Sequence, residues 1–155
     1  MVFIASNIVI IYIKENHKMK KIIYIPILLF FFTINSLGIE EEFGTQIEKV
    51  ISSQFNAFQE KNLSLAYSFA SPEIKRQYPS AEIFGQMVKN GYSDIWNSKS
   101  HTFEGLKVKG EMAFQMVTVI SNNNTINNYL YTLYNYNGGW VIAGVTRYRS
   151  DSMGI

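Results

Sequence analysis

Apolar side chains recur early in the folded part of the chain at the spacing of a helix. Ile47, Val50, Ile51, Gln54, Phe55 and Phe58 fall three and four residues apart, on one stripe of a helical surface. Thr45 with Glu48 three residues on has the capping-box pattern, so the helix is expected to open there. Asn62 is placed to end the following turn and to cap a short second helix carrying Leu63, Ala66, Tyr67, Phe69 and Ala70. Ser71-Pro72 fits an N-cap with proline in the first turn and predicts a third helix to about residue 78. Ser80 opens a fourth, with Ile83, Phe84, Met87 and Val88 on its buried stripe and Gly91 past its end.

After that the period changes. Segments 100–109, 111–121, 126–136 and 139–149 are rich in Val, Ile, Thr, Tyr and Phe and predict strands. Lys109-Gly110, Asn122-Asn123-Asn124 and Asn137-Gly138-Gly139 separate them. Asn-Gly between strands is the sharpest of these signals, because a type I′ turn needs positive φ at both central residues. Consecutive hairpins make a meander. Helices followed by a meander predict an α+β fold, with the helices packed on one face of a curved four-stranded antiparallel sheet.

Length and composition agree. One domain with a leader fits 155 residues, and 47% hydrophobic with 17% charged suits a chain that buries a core. The absence of Cys excludes a thiol nucleophile, an iron–sulfur cluster, a Cys-ligated zinc site and a lipoprotein anchor. The net charge of +2 is unevenly placed. Residues 1–38 carry four Lys against Glu15, whereas the remainder carries ten bases against eleven acids. A domain so near neutrality has no electrostatic footprint for nucleic acid.

The leader has its own pattern. Lys18, Lys20 and Lys21 precede the 13-residue apolar run 22–34, which contains Pro26. That run is shorter than the roughly 20 residues of a membrane span and matches the charged and apolar regions of a secretory signal peptide. Ser36 and Gly38 supply small residues for cleavage after Gly38, leaving 39–155 as a single exported domain, periplasmic or secreted from a bacterium. An uncut leader would be its one route to a membrane. Residues 1–13 form a second apolar stretch that a signal peptide does not need, and Met19-Lys20-Lys21 reads as the start of translation.

The ordered set Val50-Ile51, Gln54, Ala57-Phe58, Ala66, Ala70-Ser71-Pro72, Ile74, Phe84, Met87-Val88, Tyr92 and Gly139-Trp140-Val141-Ile142-Ala143-Gly144-Val145 spans about 45–149. It resembles the cone-shaped nuclear-transport-factor-two-like superfamily. More narrowly, it resembles an uncharacterised bacterial family there, a domain of unknown function in exported proteins. The resemblance implies a conical pocket between the concave face of the sheet and the helices, and homodimerisation through the sheet. It leaves function open, because that superfamily holds isomerases, dehydratases, small-ligand binders and association modules.

Candidate chemistry is sparse. His17 lies in the leader, so His101 is the single His of the mature chain and builds no multi-His metal site. Glu104, three residues on along the strand, falls on the opposite face by alternation. Isomerase-type chemistry needs a carboxylate base inside the cone. Strands 111–121 and 126–136 hold only Glu111, at a turn edge. Tyr129 and Tyr131 share one strand face, Tyr134 and Tyr136 the other, which points to strand packing and a dimer interface. Arg147 and Arg149 share a face of the last strand, suited to a solvated surface or to an anion clamp. No phosphate loop, zinc motif or serine elbow occurs. The expectation is a non-catalytic module, without metal or cofactor, that holds a small apolar ligand by Tyr67, Tyr78, Phe84, Tyr92 and Trp96. The alternative is a small acid–base enzyme using His101 and Asp94.

Overall fold

The computed structural model describes residues 3–5, 8–10 and 30–148, with side chains from residue 42. The chain divides into two compact units, Met1–Glu42 and Phe43–Ile155. In the first, strands β1 (Phe3–Ala5) and β2 (Ile8–Ile10) pair antiparallel. Lys18, Met19, Lys20, Lys21 and Arg149 lie outside the described residues, as does residue range 22–29 of the apolar run. No helix among the described residues is long and apolar enough to cross a membrane.

Helix α1 (Phe30–Gln59) begins earlier than the capping box suggests. Thr45 is therefore an interior helical residue and not an N-cap. Glu40, Glu41 and Glu42 are good helix formers, and the helix continues from them through Phe43 and the poor helix former Gly44. The predicted stripe is the buried one: Ile47, Ile51, Phe55 and Phe58 are all at most 2% exposed.

Three short helices follow with the expected caps. Asn62 Oδ1 accepts from Leu65 N–H to start α2 (Leu63–Ser68), Ser71 caps α3 (Pro72–Gln77), and Ser80 caps α4 (Ala81–Gly91). Each side chain satisfies an orphan N–H of the first turn. Two details of α4 differ from expectation. Ile83 is 46% exposed, because α4 turns Phe84, Gly85 and Val88 inward and sets Gly85 tightly against Leu63 of α2. Gly91 is the last helical residue, and Tyr92 forms the C-cap. The short α5 (Ser93–Trp96) was not signalled by the apolar spacing.

The meander is β3 (Ser98–Lys109), β4 (Met112–Ser121), β5 (Ile126–Tyr136) and β6 (Gly139–Tyr148), paired in that order, all antiparallel. Its turns carry the predicted backbone: Gly110 at φ 58°, Asn124 at 62°, Asn137 at 51° and Gly138 at 83°. Register shifts interrupt β3 between Phe103 and Leu106, and the β5–β6 pair at Thr132/Leu133. Such irregularities bend a sheet. Here one of them lies where residues 69–71 dock on β6. Ile142 N–H donates to Phe69 O at 2.9 Å and Ser71 N–H to Ile142 O at 2.8 Å.

The inner face of the sheet buries Ala113, Val117, Val119, Tyr129, Tyr131, Leu133 and Ile142 under the helices. The outer face leaves Met112, Ile126, Tyr136 and Tyr148 exposed. The two tyrosine pairs therefore face opposite ways, as alternation requires. The Tyr134 hydroxyl reaches Glu73 of α3 with a short hydrogen bond, and Arg76 lies 3.1 Å from the same carboxylate. The Tyr134 bond, more than any other contact, holds the Glu73 carboxyl down at about 2, against an ordinary 4.5.

Replacing Tyr134→Phe is expected to raise the Glu73 titration from about 2 toward 4.5, read by carboxyl NMR. What ionised Glu73 adds to stability is complete above 4.5 and lost as pH falls through about 2, so the variant loses this share of its acid dependence.

Candidate functional site

The curved inner face and the short helices leave a cavity of about 330 Å³. Helix α1 supplies Gln54 and Phe58; α3 and its cap supply Ile74, Gln77 and Tyr78; α4 supplies Phe84, Met87 and Val88. Tyr92 and Ile95 close one side, Tyr131 enters from β5, and 142–146 of β6 form the opposite wall. No Asp, Glu, Lys, Arg or His lines it. The reason is local. Each wall is the apolar stripe of an amphipathic element, and the charged residues of α3 and α4 stand on the faces turned away.

The polar side chains in the lining are Gln54, Gln77, Thr146 and the tyrosines 78, 92 and 131. Gln54, 4% exposed, donates its amide to Ala66 O at 3.1 Å. The Tyr92 hydroxyl donates to Val145 O at 2.9 Å. Three buried side-chain atoms have no hydrogen-bond partner among the described residues: Gln115 Oε1, Tyr131 Oη and Trp140 Nε1. Of these residues, Tyr131 lines the cavity. Burial pushes its phenol well above the ordinary tyrosine range.

The five aromatic residues singled out by sequence separate. Tyr78, Phe84 and Tyr92 line the cavity. Tyr67 does not. Its hydroxyl donates to Tyr78 O at 2.6 Å, holding the end of α3, while its ring packs 5.5 Å from Phe84. Trp96 packs 5.7 Å from Phe58 and lines a different, open groove of about 420 Å³ with Gln59, Lys61, Lys99 and Asn122. Gln54 and Tyr131 were legible only as members of a stripe and of a tyrosine cluster; alternation with the buried Tyr129 was the available signal for Tyr131.

His101 and Asp94 are held by separate partners. His101 faces α1, with Nε2 3.1 Å from Ser52 Oγ and its ring stacked on Phe55 at 4.4 Å. Burial lowers its pKa. Glu104 turns to the other face and accepts from Thr118. Asp94 on α5 accepts from Asn127 Nδ2 at 2.9 Å, Tyr129 hydroxyl at 3.0 Å and Arg147 Nη2 at 2.6 Å. Arg147 is thus an internal ion-pair partner with its guanidinium 5.6 Å from the Tyr129 ring. Desolvation raises the Tyr129 phenol, as this network keeps a buried hydroxyl neutral and bonded. Among the described residues no three His, Asp or Glu side chains gather as metal ligands.

The lowered His101 pKa has a signed consequence. Stability is complete above the ordinary value of 6.5 and falls as pH drops through the lower folded value, because the unfolded chain takes up the proton first. Urea midpoints at pH 7.5 and 5 are expected to show this decline in the wild type and a smaller one in His101→Phe, which keeps the ring stacked on Phe55.

No curated protein and no solved structure matches the chain. Residues 40–155, which contain every residue that lines the cavity, match one family, described as Domain of unknown function (DUF4864), and the chain belongs to that family.

Proposed function

We propose that this domain is a non-catalytic, exported binding module that holds a small, largely apolar molecule in the cavity between α1, α3, α4 and β6. The observation that carries this reading is the lining itself: a partly open space of about 330 Å³ whose walls are aromatic and aliphatic side chains with Gln54, Gln77 and Thr146, and no Asp, Glu, Lys, Arg or His. Its size lies at the lower end of small-molecule sites, and a few placed polar groups among apolar walls are typical of them. Acid–base catalysis would need a titrating group at the substrate. The helices-then-meander order supports a nuclear-transport-factor-two-like architecture for the domain.

Association is the second part of the proposal. The outer sheet face exposes Ile126 at 67%, Tyr136 at 48%, Met112 at 43% and Tyr148 at 40%. Apolar side chains on one open sheet face suit a second copy of the chain. Export is supported by the charged and apolar pattern of 18–38, with translation from Met19. Every described core residue lies at Phe43 or later, so cleavage after Gly38 removes none of them.

Native mass spectrometry of the protein purified from its own host is expected to report a dimer with a retained small molecule. Met87→Trp narrows the cavity and should weaken binding of the neutral probe N-phenyl-1-naphthylamine at least tenfold without unfolding the protein. Turnover of a substrate abolished by one cavity substitution would instead make it an enzyme. Sequencing of the mature protein is expected to start at Ile39; a start upstream of the leader overturns the export reading.

A further inference from the structure

Helix α1 ends on a residue that its backbone disfavours. Lys61 N–H donates to Phe58 O at 3.1 Å and Asn62 N–H to Ala57 O at 2.8 Å. Together these bonds make a Schellman ending, with Lys61 at the position that turns left-handed, at φ 57°. Glycine is the usual occupant there, because a Cβ crowds the neighbouring carbonyl. Lysine therefore stands at this point at some cost to the fold, and residues held in such conformations gather where a side chain has a task.

Lys61 borders the open groove of about 420 Å³ that Trp96 and Lys99 also line. Three segments meet there and are laced together. Gln59 Nε2 donates to Ser98 O at 3.0 Å and to Ser98 Oγ at 3.3 Å, and Asn122 N–H donates to Asn97 O at 2.9 Å. Ser98 is only 4% exposed, and its own hydroxyl proton goes to no acceptor among the described residues. Lys99 Nζ meets the neutral Asn124 Oδ1 at 3.5 Å, and neither lysine joins an ion pair among the described residues. No Asp or Glu lines the groove; Glu60, beside Lys61 in the chain, stands outside it. Half-buried Trp96, its ring 5.7 Å from that of Phe58, gives the groove an aromatic wall.

The chemistry is the inverse of the apolar cavity, with which the groove shares only Phe58. Two ammonium groups bordering one space repel, and an anion between them replaces that repulsion with charge-assisted hydrogen bonds. A flat ring packs well on an indole. We infer that the groove is a second binding site, for a small organic anion: a flat ring bearing a carboxylate, with the carboxylate held by Lys61 and Lys99 and the ring laid against Trp96. This site does not rest on the reading of the cavity as a ligand site.

Two probes of nearly equal shape test it: 2-naphthoate, an anion, and the neutral 2-naphthamide. Each is titrated into the full ¹⁵N-labelled chain at low salt, with the indole N–H resonances of Trp96 and Trp140 as reporters. In the wild type 2-naphthoate is expected to move the Trp96 resonance, to leave that of Trp140 in place, and to bind at least fivefold more tightly than the amide. Lys61→Gly is expected to lose that preference while its thermal midpoint rises by about 3 °C, since glycine relieves the left-handed position. Lys99→Gln should lose the preference as well, with an unchanged midpoint. Equal affinity for the two probes, no binding of 2-naphthoate at millimolar concentration, or a bound 2-naphthoate that leaves Trp96 unmoved overturns the inference. So does a preference that survives in both variants, because another cation then holds the carboxylate. A midpoint that falls in Lys61→Gly shows the lysine to be structural and overturns it too. If one variant does not fold, the other and the wild-type pair of affinities decide.

Discussion

The seat of α1 on the inner face of the sheet is the contact on which the other features depend. Phe55 is the centre of that contact: it stacks on His101 of β3 and packs against Tyr131 of β5, so one ring bridges two strands that are not neighbours. Ile47, Ile51 and Phe58 extend the seam along the helix. Burying each such side chain stabilises by about 1.5–3 kcal/mol. Polar contacts fix the register of the seam: Ser52 meets His101, and Gln59 donates to Ser98 O at 3.0 Å. The same helix contributes Gln54 and Phe58 to the cavity wall, so packing and pocket share one set of side chains.

Charge is sorted by depth. The inner cavity has none, while Asp94 and Arg147 pair at its periphery with 12% and 43% side-chain exposure. An ion pair so exposed on one side adds little by itself. Its role is to satisfy Tyr129, which is fully buried and would otherwise bear an unpaired hydroxyl. The arrangement lets the sheet carry polar tyrosines on its concave side without admitting a charge. Tyr131 stands apart because the network stops one residue pair short of it.

The edges and faces of the sheet are managed unequally. Residues 69–71 cover part of the β6 edge with two main-chain hydrogen bonds, and they hold α3 where Glu73 meets Tyr134. That cover sits at the register shift, where the β6 ladder is already interrupted. On the outer face Ile126, Met112, Tyr136 and Tyr148 are exposed.

Most local structure was written in the sequence. The stripe of α1, the three side-chain caps, the four strands and the turn at Asn137-Gly138 all follow from spacing and backbone preference, which act over a few residues. The sequence also made the inner space uncharged, since its strands carry almost no acid or base at inward positions. Local patterns misplaced the start of α1, because a capping box marks a possible helix end and does not require one. They also set Ile83 inside, because helical spacing identifies a stripe and leaves its exact rotation to the neighbour, here Leu63 against Gly85. Only the tertiary structure decided which aromatics face the cavity, that Arg147 closes on Asp94 and that Tyr131 is left without a partner. Those outcomes join residues 16 or more apart in the chain, such as Tyr131 with Gln115, and packing at that range depends on how elements bend and dock, which no short window of sequence contains.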